Sequence, residues 1–283
     1  GIVPRSHLPA GHAGPRVSAT MSDGFMPFGD LSGYAIAGIF VVYFFAYFIR
    51  GTLGFGSAMP AVLGGVWVLP PHDAVLIALL TSVFAQVQLL PQGIKEANWR
   101  ITKPMIAGTV VSVAVGVWIF ASLKAAWLTI VLGTCLSVAV LIDIAGLADR
   151  AARHMRLDRI SVAFGLAAVA GLVAGIAGAG SNYFLSFYLR WASPQPRTFR
   201  ATNIVLSGFT VLWRAIVTLF TGLITLKLVI CSALVMPAVY AGGWAGRHAS
   251  MRMSTQRYFG FFRILLLVAS VALIWKGLAG LNR

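Results

Sequence analysis

A seven-residue glycine motif occurs twice in this chain, and it constrains the fold more than any other feature. The first copy is Gly-Thr-Leu-Gly-Phe-Gly-Ser at positions 51–57, and the second is Gly-Ile-Ala-Gly-Ala-Gly-Ser at positions 175–181. The same offset of 124 residues aligns two further pairs, Trp67 with Trp191 and Pro70 with Pro194. A register shared over this distance indicates an internal duplication.

Both copies lie within strongly apolar sequence. The chain has 283 residues, of which 59% are hydrophobic and 10% are charged. A water-soluble domain of this length needs more charge to cover its surface. Runs of eighteen or more nearly uncharged residues recur, and each is long enough for a transmembrane helix. The sequence therefore predicts an all-α membrane protein with many spans.

The basic residues fit the same class. Lys and Arg number 22 against 7 Asp and Glu, so the formal net charge is +15. In a soluble protein this excess would suggest nucleic acid. Here most basic residues lie in short loops between apolar runs, as the positive-inside rule describes. We therefore expect the lipid bilayer as a partner, and no nucleic acid.

The apolar runs predict ten helices in two sets of five. The segments are about 31–49, 58–69, 73–93, 102–121 and 126–146, then 160–174, 182–191, 198–222, 227–246 and 257–279. The predicted organisation is a leader or tag-like disordered N-terminus (1–30), a first membrane repeat (31–146), a basic cytoplasmic linker (147–159) and a second membrane repeat (160–280).

The loop charges predict that the two repeats are inverted. In the first half the loop 94–103 carries three basic residues, and the next loop, 122–125, carries one. In the second half the order is reversed: the loop 223–227 carries one basic residue, and the next loop, 247–257, carries three. Equivalent loops then lie on opposite sides of the membrane, which is the mark of an inverted repeat. Inversion requires an odd number of crossings in each half, so we predict five spans per half.

The segment after each glycine motif is short for a span. A helix of about a dozen residues covers about 18 Å, whereas the hydrocarbon core is about 30 Å thick. The motif must supply the remaining length as irregular backbone, which is tolerated at membrane depth only beside protein or a water-filled cavity. We therefore predict a broken helix at the glycine motif of each half.

The two motifs are the first candidates for substrate binding. Glycines expose backbone N–H groups at the start of the following helix, Ser57 or Ser181 can cap that helix, and helix N-termini bind anions. The alternative is close packing of helices through small residues. The candidate residues are Gly54, Phe55, Gly56, Ser57, Gly178, Ala179, Gly180, Ser181 and Asn182.

Arg214 is the one cation well inside a long apolar run. An arginine there is costly and marks a functional site by default, although it can also snorkel to the interface. Gln88, Asn203 and Ser207 are neutral polar candidates on neighbouring segments, where the alternative is a bridge between helices. Arg50 is better explained as an interfacial anchor. No acidic residue or histidine lies mid-helix, so we predict no catalytic residue, no metal site and no cofactor.

The chain resembles the TauE/SafE family of sulfite exporters. The residues that carry the resemblance are the two glycine motifs, Pro60 after the first, and the Trp191 and Pro194 pair after the second. The resemblance covers about residues 31–280. It implies a duplicated permease that moves sulfite, organosulfonates or related sulfur anions.

We therefore expect a secondary transporter, with export favoured, for a small sulfur-containing anion in the bacterial inner (cytoplasmic) membrane. Alternating access around the two broken helices is the expected mechanism, and a homodimer is possible. The alternatives are an uptake permease for another small anion or sulfur compound, a membrane-embedded enzyme, and a non-transporting scaffold.

Overall fold

The structure is a computed structural model, and it describes residues 32–53, 56–87, 90–146, 150, 160–193, 195–250 and 255–281. These residues are helical with short connections, and no strand occurs among them. The helices are α1 (Gly33–Leu53), α2 (Ala58–Val68), α3 (Pro71–Val87), α4 (Leu90–Glu96), α5 (Trp99–Ser122), α6 (Ala125–Ile144), α7 (Ile160–Ala177), α8 (Ser181–Ala192), α9 (Pro196–Phe220), α10 (Leu226–Ser250) and α11 (Thr255–Leu281). The all-helical class is confirmed.

Six of these helices are long and apolar enough to cross a membrane. They lie at Gly33–Thr52, Trp99–Ser122, Ala125–Ile142, Ile160–Ala177, Arg197–Phe220 and Leu226–Ala249. Three shorter apolar helices accompany them, at Ala58–Val68, Pro71–Val87 and Leu266–Leu281. The chain is therefore a multi-pass membrane protein, while the arrangement of ten inverted spans stays a prediction.

One predicted helix is wrong in its extent. The segment 73–93 was expected to be continuous, but α3 ends at Val87 and α4 begins at Leu90. Proline lacks a backbone N–H. Pro91 therefore cannot donate the bond that a continuous helix would make to the Val87 carbonyl.

Three helix pairs form the frame of the molecule: α5 with α7, α1 with α10, and α6 with α11. Each pair joins one helix from before the linker to one from after it. Glycines bring the backbones together in all three, because a Cβ built on Gly175, Gly51 or Gly133 would lie within 2.8 Å of a backbone atom of the partner helix. Close approach through small residues is the usual way in which membrane helices associate.

The predicted leader (1–30) lies outside the described residues. So does the basic linker (147–159), apart from Arg150. Both remain predictions.

Candidate functional site

Both glycine motifs line one cavity, which we call the central cavity. It has about 840 Å³ of empty space, counted with its open mouth. The first half contributes Arg50, Gly56, Ser57, Ala58, Met59, Leu79, Ser82 and Gln86, and the second contributes Ala174, Gly178, Ala179, Gly180, Ser181, Asn203, Ile204, Ser207, Thr210, Val211 and Arg214. The structure thus brings residues from the two halves to one place.

Nine predicted site residues line this cavity: Gly56, Ser57, Gly178, Ala179, Gly180, Ser181, Asn203, Ser207 and Arg214. Gly54, Phe55 and Gln88 lie outside the described residues. Asn182 is the second residue of α8, but its side chain is outside the described part of the chain.

Arg214 is buried in the wall of the cavity, with only 2% of its surface exposed. Its Nε donates a hydrogen bond to the Gly175 carbonyl at 3.2 Å, and its guanidinium lies 5.5 Å from the centre of the Phe120 ring. Its Nη2 is buried and has no hydrogen-bond partner. The side chain is therefore directed into the protein against α7 and does not snorkel to the interface.

The neighbouring residue fixes how α9 presents Arg214. Trp213 donates a hydrogen bond from Nε1 to the Val110 carbonyl of α5 at 2.8 Å. Because residues 213 and 214 point about 100° apart around the helix, anchoring one to α5 sets the direction of the other.

Arg50 is a cavity residue that sequence reasoning assigned to the membrane interface. It lies in the last turn of α1, and its Nη2 donates to Gln86 Oε1 at 2.7 Å. Its Nη1 donates to Ser57 Oγ at 3.4 Å. The Gln86 amide is oriented in turn by Nε2, which donates to the Ile204 carbonyl at 2.7 Å. The available signal was position, since Arg50 immediately precedes the first motif.

The glycines of each motif serve two different purposes. The first glycine of each copy packs: a Cβ on Gly175 would lie 2.7 Å from Gly116 Cα, and one on Gly51 would lie 3.0 Å from Gly246 Cα. The third glycine adopts the left-handed conformation in both copies, with φ of 91° at Gly56 and 85° at Gly180. L-residues with a side chain rarely adopt this conformation. Both interpretations of the motif therefore apply, each to a different glycine.

The predicted serine caps are wrong. Ser57 occupies the N-cap position of α2 without a side-chain cap hydrogen bond, and its Oγ instead accepts from Arg50. In the second copy Gly180 is the N-cap of α8, so Ser181 already lies inside the helix. The first N–H groups of any helix have no partner within the helix. In both halves the first residue of the helix lines the cavity: Ala58 at the start of α2 and Ser181 at the start of α8.

Neutral polar side chains complete the wall. Asn203 is 7% exposed, and its Oδ1 is buried without a partner. Thr210 donates from Oγ1 to the Leu206 carbonyl of its own helix at 2.8 Å, so its hydroxyl proton is already used in a hydrogen bond. The lining described for this cavity holds two arginines and no carboxylate. A cavity of this kind favours an anionic ligand.

Fold and site together define a multi-pass helical membrane protein with a basic, polar cavity between its two halves. The family model for the sulfite exporter TauE/SafE family matches residues 39–273. The chain therefore belongs to the TauE/SafE family, whose members are transporters. No curated protein and no solved structure gives a significant match to the chain.

Proposed function

We propose that this protein exports sulfite, an organosulfonate or a related small sulfur oxyanion across the bacterial cytoplasmic membrane, as a secondary transporter that binds its substrate in the central cavity. The observation that carries the proposal is the unpartnered Nη2 of Arg214 in a buried wall that holds no described carboxylate. A buried cation without a counter-ion is costly, and an anionic substrate would supply the missing partner.

The rest of the wall suits an oxyanion. Guanidinium groups make strong, charge-assisted hydrogen bonds to anionic oxygens. The starts of α2 and α8 add backbone N–H donors, and the helix dipole adds partial positive charge at each. A rotation of 180° about χ2 of Asn203 exchanges its amide oxygen and nitrogen. In that orientation Nδ2 can donate hydrogen bonds to a ligand in the cavity. An oxyanion at the centre would thus receive donors from both halves.

The proposal includes ten spans as two inverted five-segment repeats. The six long helices would be joined by α2, α3, α8 and α11. Helix pairing supports this arrangement. The repeat makes α1 equivalent to α7, α5 to α10, and α6 to α11. When the two halves are exchanged, the α1–α10 pair therefore becomes the α7–α5 pair, and the α6–α11 pair stays the same. Such exchange is the contact pattern expected of a pseudo-twofold axis, and the loop charges favour an axis in the membrane plane.

The backbone near Gly180 supports a broken helix in the second half. Helix α7 ends at Ala177 and α8 begins at Ser181, while Gly178 and Gly180 between them have positive φ. Helix α8 has 12 residues and covers about 18 Å, so residues between the helices must provide the rest of the crossing. In the first half, Gly56 has the equivalent conformation ahead of α2.

Alternating access would move the substrate between the two ends of the cavity. Arg50 lies at the end that the positive-inside rule assigns to the cytoplasm, because α1 would run inward to it. At the other end, Phe120 lies beside Arg214 and packs against His72, with ring centroids 5.1 Å apart. A potential of 100 mV, negative inside, contributes about 2.3 kcal/mol for each negative charge exported.

Flux measurements on proteoliposomes test this function. Purified protein is reconstituted into sulfite-loaded vesicles, and efflux is followed under a potassium diffusion potential that is negative inside. We expect efflux above that of empty liposomes, with a rate that rises with the potential.

The Arg214→Gln variant should lower sulfite efflux roughly 10- to 100-fold, because hydrogen bonds to charged groups contribute about 1.5–3 kcal/mol. Arg197→Gln is the matched control, since Arg197 is an exposed arginine on the same helix that does not line the cavity. Absence of efflux for sulfite and for an organosulfonate would overturn the proposal.

A further inference from the structure

A second cavity adjoins the central cavity, and we call it the vestibule. It has about 660 Å³ of empty space, counted with its open mouth, and lies where α1, α9 and α10 meet. Arg50 lines both cavities. Arg50 therefore lies between the two cavities.

Three arginines from three different helices converge on the vestibule. Arg50 comes from α1, Arg200 from α9 and Arg247 from α10. The described lining contains no carboxylate, and its other residues include Tyr47 and Tyr240. Like charges brought together in a concave surface repel one another and focus a positive potential into the space between them. Such a surface attracts and holds anions.

The bonds of Arg50 allow it to serve both cavities. On the central side its partners are neutral: Gln86 Oε1 at 2.7 Å and Ser57 Oγ at 3.4 Å. An anionic oxygen is a stronger acceptor for a guanidinium than either of these groups. An anion in the vestibule can therefore compete with Gln86 for Arg50, whereas the Gln86 amide stays in place through its bond to the Ile204 carbonyl.

We propose that Arg50, Arg200 and Arg247 form a second oxyanion-binding site on the cytoplasmic side of the central cavity, from which the anion reaches that cavity past Arg50. This inference rests on the proposed function. Its ligand is the transported sulfur oxyanion, held by guanidinium groups. The phosphate of an anionic lipid headgroup shares this chemistry, so the test must distinguish the two.

Sulfite binding measured at equilibrium tests the second site. Radiolabelled sulfite is titrated onto the purified protein in nanodiscs made of zwitterionic lipid. We expect one more equivalent of bound sulfite in the native protein than in Arg200→Gln. The Arg197→Gln control, an exposed arginine one turn earlier on α9, should retain both equivalents. Arg214→Gln should lose the other equivalent, the one in the central cavity.

Arg247→Gln serves as a second variant, so that misfolding of Arg200→Gln is not mistaken for a lost site. Both variants should elute as the native protein does on size exclusion and should still bind one equivalent. Unchanged stoichiometry in both variants would overturn the second site while leaving the central cavity and the proposed function intact. No sulfite binding by the native protein would overturn both.

A second set of nanodiscs containing anionic phospholipid separates the two ligand sources. We expect the second equivalent of sulfite to bind in these discs as well. Loss of that equivalent, together with anionic lipid that copurifies with the native protein and not with Arg200→Gln, would assign the vestibule to a lipid headgroup and overturn the inference.

Discussion

The Arg214 guanidinium occupies the space that a side chain at Gly178 would need. A Cβ built on Gly178 would collide with Nη1 of Arg214, and Gly178 also has a positive φ of 68°. The second glycine of the repeated motif and the buried arginine are therefore one unit. The absence of a side chain at one position is what allows the charge at the other to reach the cavity wall.

Replacing Gly178 with alanine should displace the Arg214 guanidinium and reduce sulfite efflux roughly tenfold or more, in proportion to the lost charge-assisted hydrogen bond. Backbone strain at positive φ should add about 1–2 kcal/mol of destabilisation. Gly222→Ala is the matched control, because Gly222 has a φ of 71° and nothing within 4 Å of the added Cβ. It should carry the same strain with normal efflux. Equal efflux in the two variants would show that the collision with Arg214 has no functional effect.

Replacing Arg214 with methionine should separate stability from function. The change removes a buried charge that has one unpartnered nitrogen, so we expect the free energy of unfolding to rise by about 1–3 kcal/mol. Sulfite should no longer raise the unfolding temperature of this variant. Thermal unfolding with and without sulfite measures both effects.

The exposed Arg197 provides the reference for that measurement, since Arg197→Met should change stability by no more than about 0.5 kcal/mol. A large loss of stability in Arg214→Met would instead mean that the arginine holds the fold together and is not kept for a ligand.

Replacing Gly175 with alanine should push α7 away from α5. The new Cβ would lie 2.6 Å from the Val113 carbonyl oxygen and 2.7 Å from Gly116 Cα, and backbone atoms cannot rotate out of the way. We expect the free energy of unfolding to fall by about 1–3 kcal/mol. Denaturation in detergent followed by circular dichroism would measure it.

Gly165→Ala is the comparison on the same helix, because nothing lies within 4 Å of a Cβ at Gly165. Alanine is the better helix former, so this change should be neutral or stabilising by up to about 1 kcal/mol. A neutral Gly175→Ala would contradict direct backbone contact between α5 and α7.

The sequence predicted most helices well because the apolar runs are long and end at glycine, proline or basic residues. It also predicted much of the wall of the central cavity, because both copies of the glycine motif lie there. Arg50 was missed as a cavity residue for a physical reason. Whether a polar residue near a helix end points to lipid, to water or inward depends on how the helices rotate against one another, and the packing of whole side chains decides that rotation.

The two failures of local prediction have separate causes. Serine at the end of each motif suggested a cap, but Ser57 accepts a hydrogen bond from Arg50 instead of capping α2. In the second copy the helix begins one residue earlier, at Ser181 itself, so Gly180 takes the N-cap position. The end of α3 at Val87 agrees with the position of Pro91, which has no N–H to donate to the carbonyl four residues earlier.

The glycine contacts that join α5 to α7, α1 to α10 and α6 to α11 also bear on whether either half of the chain could fold alone. Each contact joins a helix from before the linker to a helix from after it. Either half on its own would therefore leave these glycine faces without the helix surface against which they pack in the whole chain.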